Sequence, residues 1–140
     1  MEIKVVKAEF KEIRDFRILF LRENNFQFIY NKCHDYGWAD TYLFIKDDVK
    51  VGYGSVWGRS KREDRDAIFE FYIIDPYRIF TNAIFSLFCT ACNAPFIECQ
   101  SNDFLLSAML FENAQNISTE NIAVNSLVNN QQILEDNRPF

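Results

Sequence analysis

The sequence has 140 residues, 49% of them hydrophobic and 25% charged, with a net charge of −5 and a pI near 4.9. That balance describes one globular domain with room for a core and excludes a disordered or fibrous chain. The acidity sets aside a nucleic-acid backbone as partner, and the absence of an apolar run near 18 residues sets aside a membrane span.

The chain opens on Met-Glu-Ile-Lys-Val-Val-Lys, which lacks the charged-then-apolar layout of a secretion signal, so a cytoplasmic protein is expected. Its four cysteines, Cys33, Cys89, Cys92 and Cys99, are then expected as reduced thiols. Fifteen Phe, six Tyr and two Trp against four Gly and three Pro predict an interior dense with rings, or a buried dimer face; an aromatic ligand cage is the third reading.

Ile3, Val5 and Val6 between charged neighbours predict a first strand. Phe10, Ile13, Phe16, Arg17, Phe20 and Leu21 then recur at spacings of three and four, which predicts an amphipathic helix ending near Asn24-Asn25. A second short helix is expected over 28–36, closed by Gly37. Thr41-Tyr42-Leu43-Phe44-Ile45, the turn Lys46-Asp47-Asp48 and the alternating run 49–57 predict a β-hairpin, with Gly52 and Gly54 inside its second arm marking a bulge or a close backbone approach.

The basic cluster Arg59-Ser60-Lys61-Arg62-Glu63-Asp64-Arg65 is interleaved with acids and predicts a solvated loop. A strand over 67–74 is broken by Asp75-Pro76, a largely buried helix covers 79–92, and Asn93-Ala94-Pro95 closes it. A short strand over 96–99 and a helix over 104–112 follow, with Ser101-Asn102-Asp103 as the helix start. Ten of the 28 residues from Asn113 to Phe140 are Asn or Gln, so only 117–124 offers a strand, and the end, 131–140, predicts a tail.

Cys89-x-x-Cys92 with Cys33-His34 would supply four zinc ligands, but the pair lies inside an apolar helical pattern. Buried thiols are the reading taken, and no metal is expected. The sequence has no Gly-x-Ser-x-Gly elbow, phosphate-binding P-loop or Gly-x-Gly-x-x-Gly turn.

The predicted order is strand, helix, helix, three strands, helix, strand, helix, strand. With it go the hairpin Tyr42-Leu-Phe-Ile-Lys-Asp-Asp-Val-Lys-Val-Gly52-Tyr, the segment Ala67-Ile-Phe-Glu70-Phe-Tyr-Ile73-Ile74-Asp75-Pro76-Tyr77-Arg78, and Phe96-Ile97-Glu98-Cys99-Gln100-Ser101-Asn102. Over 1–125 this resembles the GNAT (acyl-CoA N-acyltransferase) superfamily. The resemblance implies an α/β (α+β) fold, a mixed and mostly antiparallel sheet flanked by helices, here without a convincing last strand. Residues 126–140 are expected to be a polar tail or the start of a truncated continuation.

The resemblance also implies acetyl-CoA or another acyl-CoA as co-substrate and a small-molecule or peptide amine as acceptor. In the family an Arg/Gln-x-x-Gly-x-Gly/Ala turn offers backbone N–H groups at a helix N-terminus to the coenzyme pyrophosphate. The matching run is Arg78-Ile79-Phe80-Thr81-Asn82-Ala83, with Thr81 in place of the first glycine and two bulky apolar residues before it. Backbone N–H groups at Ile73 and Ile74 would polarise the thioester carbonyl, and Asn102 would open the next helix beside the coenzyme. Glu70 would be the general base; its structural alternative is a surface or edge-strand glutamate. Met109 and Phe111 stand where the family often has a proton-donating Tyr, and Asn113-Ala114 replaces a usual Gly-Phe. These departures carry a second expectation: a GNAT-like module without chemistry, resembling the degenerate first domain of a longer bacterial protein. Its partner would be a C-terminal domain of the same protein or a second copy in a homodimer.

Overall fold

A computed structural model describes residues 2–24, 31–100 and 102–117, together with the backbone of 121–122 and 132–133. The elements are β1 (Ile3–Ala8), α1 (Phe10–Glu23), α2 (Asn31–Asp35), β2 (Ala39–Lys46), β3 (Val49–Trp57), β4 (Ala67–Ile73), α3 (Thr81–Cys92), β5 (Phe96–Ile97), α4 (Phe104–Asn113), β6 (Asn121–Ile122) and β7 (Gln132–Ile133). Short 3-10 turns cover Arg62–Asp64 and Asp75–Phe80. The main sheet runs β1-β2-β3-β4-β5, antiparallel up to β4 and parallel between β4 and β5. This is the mixed, mostly antiparallel sheet expected, and no helix among the described residues is long and apolar enough to cross a membrane.

Local chemistry explains the element ends. At the start of α1 the Glu9 N–H donates to Glu12 Oε2 at 2.8 Å, so an orphan donor is met by an acid at the positive end of the helix. The helix stops after Glu23 as expected, though by another device than a left-handed Asn. Asn24 is extended (φ −116°), and its Nδ2 donates to Phe20 O at 2.9 Å. The β2–β3 turn is Asp47-Asp48 with φ of 49° and 69°, the two positive values that match the twist of a two-residue hairpin. Asn93 (φ 55°) ends α3 in the left-handed region.

Two core layers lie on opposite faces of the sheet. One joins Ile13 and Phe20 of α1 to Leu43, Tyr53 and Tyr72. The larger joins Phe44, Phe71 and Ile73 to Ile84, Phe85 and Phe88 of α3 and Leu106, Met109 and Leu110 of α4. Rings fill it: Phe71 meets Phe85 edge-on at 5.1 Å, and Phe44 meets Phe88 at 5.2 Å. Each such pair adds about 0.5–1.5 kcal/mol beyond area burial. Much of the aromatic content is therefore core. Gly54 serves the same layer, because a Cβ there would stand 2.4 Å from the Phe88 ring.

Several expected elements are shorter. The helix expected over 28–36 is Asn31–Asp35, with 25–30 outside the described residues. The helix expected from Ile79 begins at Thr81, because Asp75–Phe80 forms a 3-10 turn with Pro76 in its first turn. The strand expected over 96–99 keeps only Phe96 and Ile97. Among the described residues of 117–124, Asn121–Ile122 is a strand, paired with Gln132–Ile133 in a separate two-stranded sheet, and 118–120 and 123–124 lie outside the described residues. The rest of the expected tail lies outside the described residues.

Candidate functional site

The β3–β4 ladder passes from Ser55–Glu70 to Val56–Ile68, a register shift of one residue at Phe69. This bulge lets consecutive residues of β4 face one side. Phe69 and Glu70 both meet His34 of α2, with ring centroids 5.7 Å apart and Glu70 Oε1 2.8 Å from His34 Nε2. Phe10 covers the imidazole from α1 at 4.8 Å.

Glu70 gathers two further donors, one of which reaches on to Asn31. Arg17 Nε of α1 donates to Oε2 at 3.0 Å, Tyr53 OH of β3 donates to Oε1 at 3.1 Å, and Arg17 Nη1 reaches Asn31 Oδ1 at 2.8 Å. Burial pushes the Glu70 carboxyl up, but His34 and Arg17, by charge and by hydrogen bond, outweigh it and hold the group below its ordinary value. Tyr53 is driven well up, first by burial and then by the Glu70 charge. Asp103 completes the cluster at the start of α4, pushed up to about 8 by burial, with Glu70 adding to the rise. The alternative of a surface or edge-strand glutamate is overturned: Glu70 is 3% exposed on a strand paired on both sides. A carboxylate held low, enclosed, and already accepting from Arg17 and Tyr53 is poorly placed to take a proton from an amine.

The second cluster lies where β4 leaves the sheet. Arg78 Nε donates to Ile73 O at 2.8 Å, Nη2 to Glu23 Oε2 at 2.5 Å, and Nη1 to Asp75 Oδ1 at 3.4 Å. Its guanidinium also lies over the rings of Tyr72 and Phe104. The Ile74 N–H donates to Val51 O at 2.9 Å, and Tyr77 N–H to Ile74 O at 3.0 Å. Thr81 N–H and Oγ1 both donate to Arg78 O, the hydroxyl at 2.6 Å. The 3-10 turn thus supplies acceptors to donors that a helix start normally leaves open. Asn82 and Ala83 lie exposed on the first turn of α3.

A pyrophosphate fits this arrangement badly. The one arginine of the turn is committed to two carboxylates, and the Thr81 donors are spent on the chain itself. Asn102 is not the helix cap expected; Asp103 holds that place, its side chain accepting from Leu106 N–H at 3.2 Å.

The strands offer one feature of another kind. The β4–β5 ladder covers only Ala67–Phe96 and Ile68–Ile97, while β4 continues to Ile73. Phe80 packs beside Lys46, whose Nζ stands 4.6 Å from its ring centroid. The four cysteines form no disulfide with one another, and burial pushes Cys89 up to about 11 and Cys99 to about 12. Among the described residues no group of three His, Cys, Asp or Glu is placed to hold a metal.

Sequence reasoning selected Glu70, Ile73, Ile74, Arg78, Thr81, Asn82, Ala83 and Asn102, and of these Ile73, Ile74, Arg78 and Thr81 meet at one place. It missed Arg17, His34, Tyr53 and Asp103 around Glu70, and Glu23 on Arg78. Arg17 left a signal, since a charged residue inside an apolar helical stripe needs a buried partner.

No protein-family model matches the chain, and no curated protein matches it. Solved structures do. The spermidine/spermine N-acetyltransferase SpeG from Vibrio cholerae aligns with a TM-score of 0.53 and 12% identity over 94% of this chain and 90% of that one. A predicted acetyltransferase from Clostridium acetobutylicum, solved with acetyl-CoA, gives 0.52 and 11% over 91% and 98%. Arabidopsis thaliana Naa50, in complex with a bisubstrate analogue, gives 0.51 and 15% over 95% and 96%. At these identities the likeness is one of fold: the chain has a GNAT-like fold.

Proposed function

We propose that this chain is a GNAT-fold module that works by binding and assembly, not by acyl transfer. The observation that carries the reading is the commitment of Arg78 to Glu23, Asp75 and Ile73 O. The phosphate-facing arginine is neutralised in place, and a coenzyme would have to displace carboxylates that repel its own charge. The module would pack in the cytoplasm against a second copy or a C-terminal domain of a longer bacterial protein, as a structural or regulatory half. Calorimetric titration with acetyl-CoA and with desulfo-CoA tests this. No heat at millimolar ligand is the expected result, and micromolar binding of both, weakened by Arg78→Ala, would overturn it.

The second reading is an acyl-CoA-dependent N-acyltransferase acting on a small-molecule or peptide amine. The short β4–β5 ladder favours it, since β4 runs on past β5 where a thioester would be received. Glu70 would be its base, Ile73 would supply the backbone N–H, and Arg78, Thr81, Asn82, Ala83 and Asn102 would border the coenzyme. It requires Arg78 to exchange Glu23 for phosphate and Glu70 to be relieved of its partners.

A further inference from the structure

The β3–β4 loop folds back over the chain between α2 and β2. Arg65 Nη2 donates to Gly37 O at 2.9 Å, and Arg65 Nε stands 3.3 Å from Asp40 Oδ1. This clamp sets the Arg62 guanidinium over the face of Trp38, 3.5 Å from the ring centroid. Trp38 is half-buried on Cys33, Trp57, Ala67 and Phe69, and Tyr36 stands beside it at 5.3 Å, 63% exposed. Tyr, Trp and Arg are the residues that dominate the centres of protein interfaces. The Trp38 ring takes the face of the guanidinium and leaves its N–H edge open. Among the described residues Arg62 has no carboxylate in ion-pair distance.

The same chain carries the complement. On α4, Phe111 is 68% exposed and has no ring neighbour among the described residues. Glu112 follows it, exposed and with no cation in ion-pair distance among those residues. It is the single charged residue of α4, whose solvent side otherwise shows Phe104 and Ala108. A helix apolar all round is ordinarily covered on every side. Both halves adjoin one end of the sheet. Ala39, Trp57, Ala67 and Phe96 form one row across β2 to β5, which Trp38 and the β3–β4 loop continue. Asn113, next to Glu112, lines a cavity together with Phe96 of that row.

We infer that two copies of this chain meet at this end through a pair of reciprocal contacts. The Glu112 carboxylate of each copy accepts from the Arg62 guanidinium of the other, and its Phe111 ring packs on the other's Tyr36 and Trp38. Because donor and acceptor surfaces share one end, a single two-fold axis closes both contacts. Charge selects this occupant. A chain of net charge −5 repels its own copies over most of its surface, and here an unpaired acid meets an unpaired arginine. Glu63 and Asp64 share the turn with Arg62, so the patch accepts one carboxylate and disfavours a polyanion. The contact presupposes a module that works by assembly, and it supplies the face that engages a second copy.

Sedimentation equilibrium of the full chain, from low micromolar to submillimolar concentration, tests the contact. The parent should dimerise reversibly, and less at high salt. Arg62→Glu and Glu112→Arg should each raise the dimer dissociation constant by at least about 25-fold, from about fivefold at each of two contacts. Both side chains are exposed, so circular dichroism should match the parent. Mixed in equal amounts, the two variants should associate again, because each then meets the opposite charge at both contacts. Tyr36→Ala should weaken the dimer and leave its salt dependence in place. A parent that stays monomeric, a dimer that either charge reversal leaves intact, or variants that stay apart when mixed would each overturn the contact. The acetyl-CoA titration judges the assembly reading separately: a monomeric parent that also gives no heat with the coenzyme removes this contact alone.

Discussion

Arg17 Nε of α1 donates to Glu70 Oε2 of β4 at 3.0 Å, with the two side chains only 7% and 3% exposed. A buried pair of this kind gains little over an apolar pair of the same volume, but removing one partner strands the other charge. Arg17→Met and Glu70→Gln are each expected to cost about 3 kcal/mol in urea unfolding. The double variant Arg17→Met/Glu70→Leu should recover part of that loss. Single losses below about 1 kcal/mol would show that the pair is solvated.

Asp103 gives a pH dependence whose sign follows from its shift. Its folded value is about 8 against an ordinary 3.8, so between these the native state holds a proton that the unfolded chain has lost. Stability from this group is complete below 3.8 and falls as pH rises toward 8, with a slope of at most about 1.4 kcal/mol per pH unit. Asp103→Asn keeps an acceptor for Leu106 N–H and should flatten that slope. Glu70 acts at the other end: its lowered value makes its contribution present above the ordinary carboxyl range and lost as pH falls through the folded value. Urea midpoints from pH 4 to 9 for the parent and Asp103→Asn check the Asp103 slope. Parallel curves above pH 6 would refute the Asp103 account.

The sequence disclosed periodicity and punctuation well, and side-chain pairing poorly. The helix at Phe10, the hairpin at Asp47-Asp48 and the break at Asp75-Pro76 are written in local residue types, and the structure places each there. Glu70 was legible as a carboxylate on β4, but its burial depends on the bulge at Phe69 and on residues 53 and 36 positions away in the chain. Local spacing carries no trace of the bulge or of His34, and of these features only Arg17 shows, as a charge inside an apolar stripe. The cap at α4 went to Asp103 instead of Asn102 because tertiary burial selects among adjacent cap-forming residues, which local propensity ranks alike.

Glu23 and Arg78 join the end of α1 to the exit of β4 with side chains 35% and 20% exposed. A pair this open is worth well under about 1 kcal/mol, so Glu23→Gln should leave the melting temperature nearly unchanged. Its effect belongs to ligand affinity. If the pair is what withholds Arg78 from anions, Glu23→Gln should bind acetyl-CoA at least about tenfold more tightly than the parent, within the range of a charge-assisted contact. Equal weakness in parent and variant would place the barrier in the covered amides of Thr81 and Tyr77 instead.

Gly54 and Phe88 set the spacing between the sheet and α3. A Cβ at Gly54 would stand 2.4 Å from the Phe88 ring and 3.0 Å from the end of Phe44, closer than packed atoms allow. Phe88 is fully buried and rests against Phe44, Phe71 and Phe85, so the ring has no empty space to enter. Gly54→Ala should therefore lose about 1–3 kcal/mol, although alanine is otherwise the better strand residue. Trimming the ring makes the argument specific: Gly54→Ala should cost clearly less in a Phe88→Leu background than in the parent. A double-mutant cycle in urea reads the difference directly. Additive losses would mean that the helix moves away as a body, and that the glycine serves the strand rather than the ring above it.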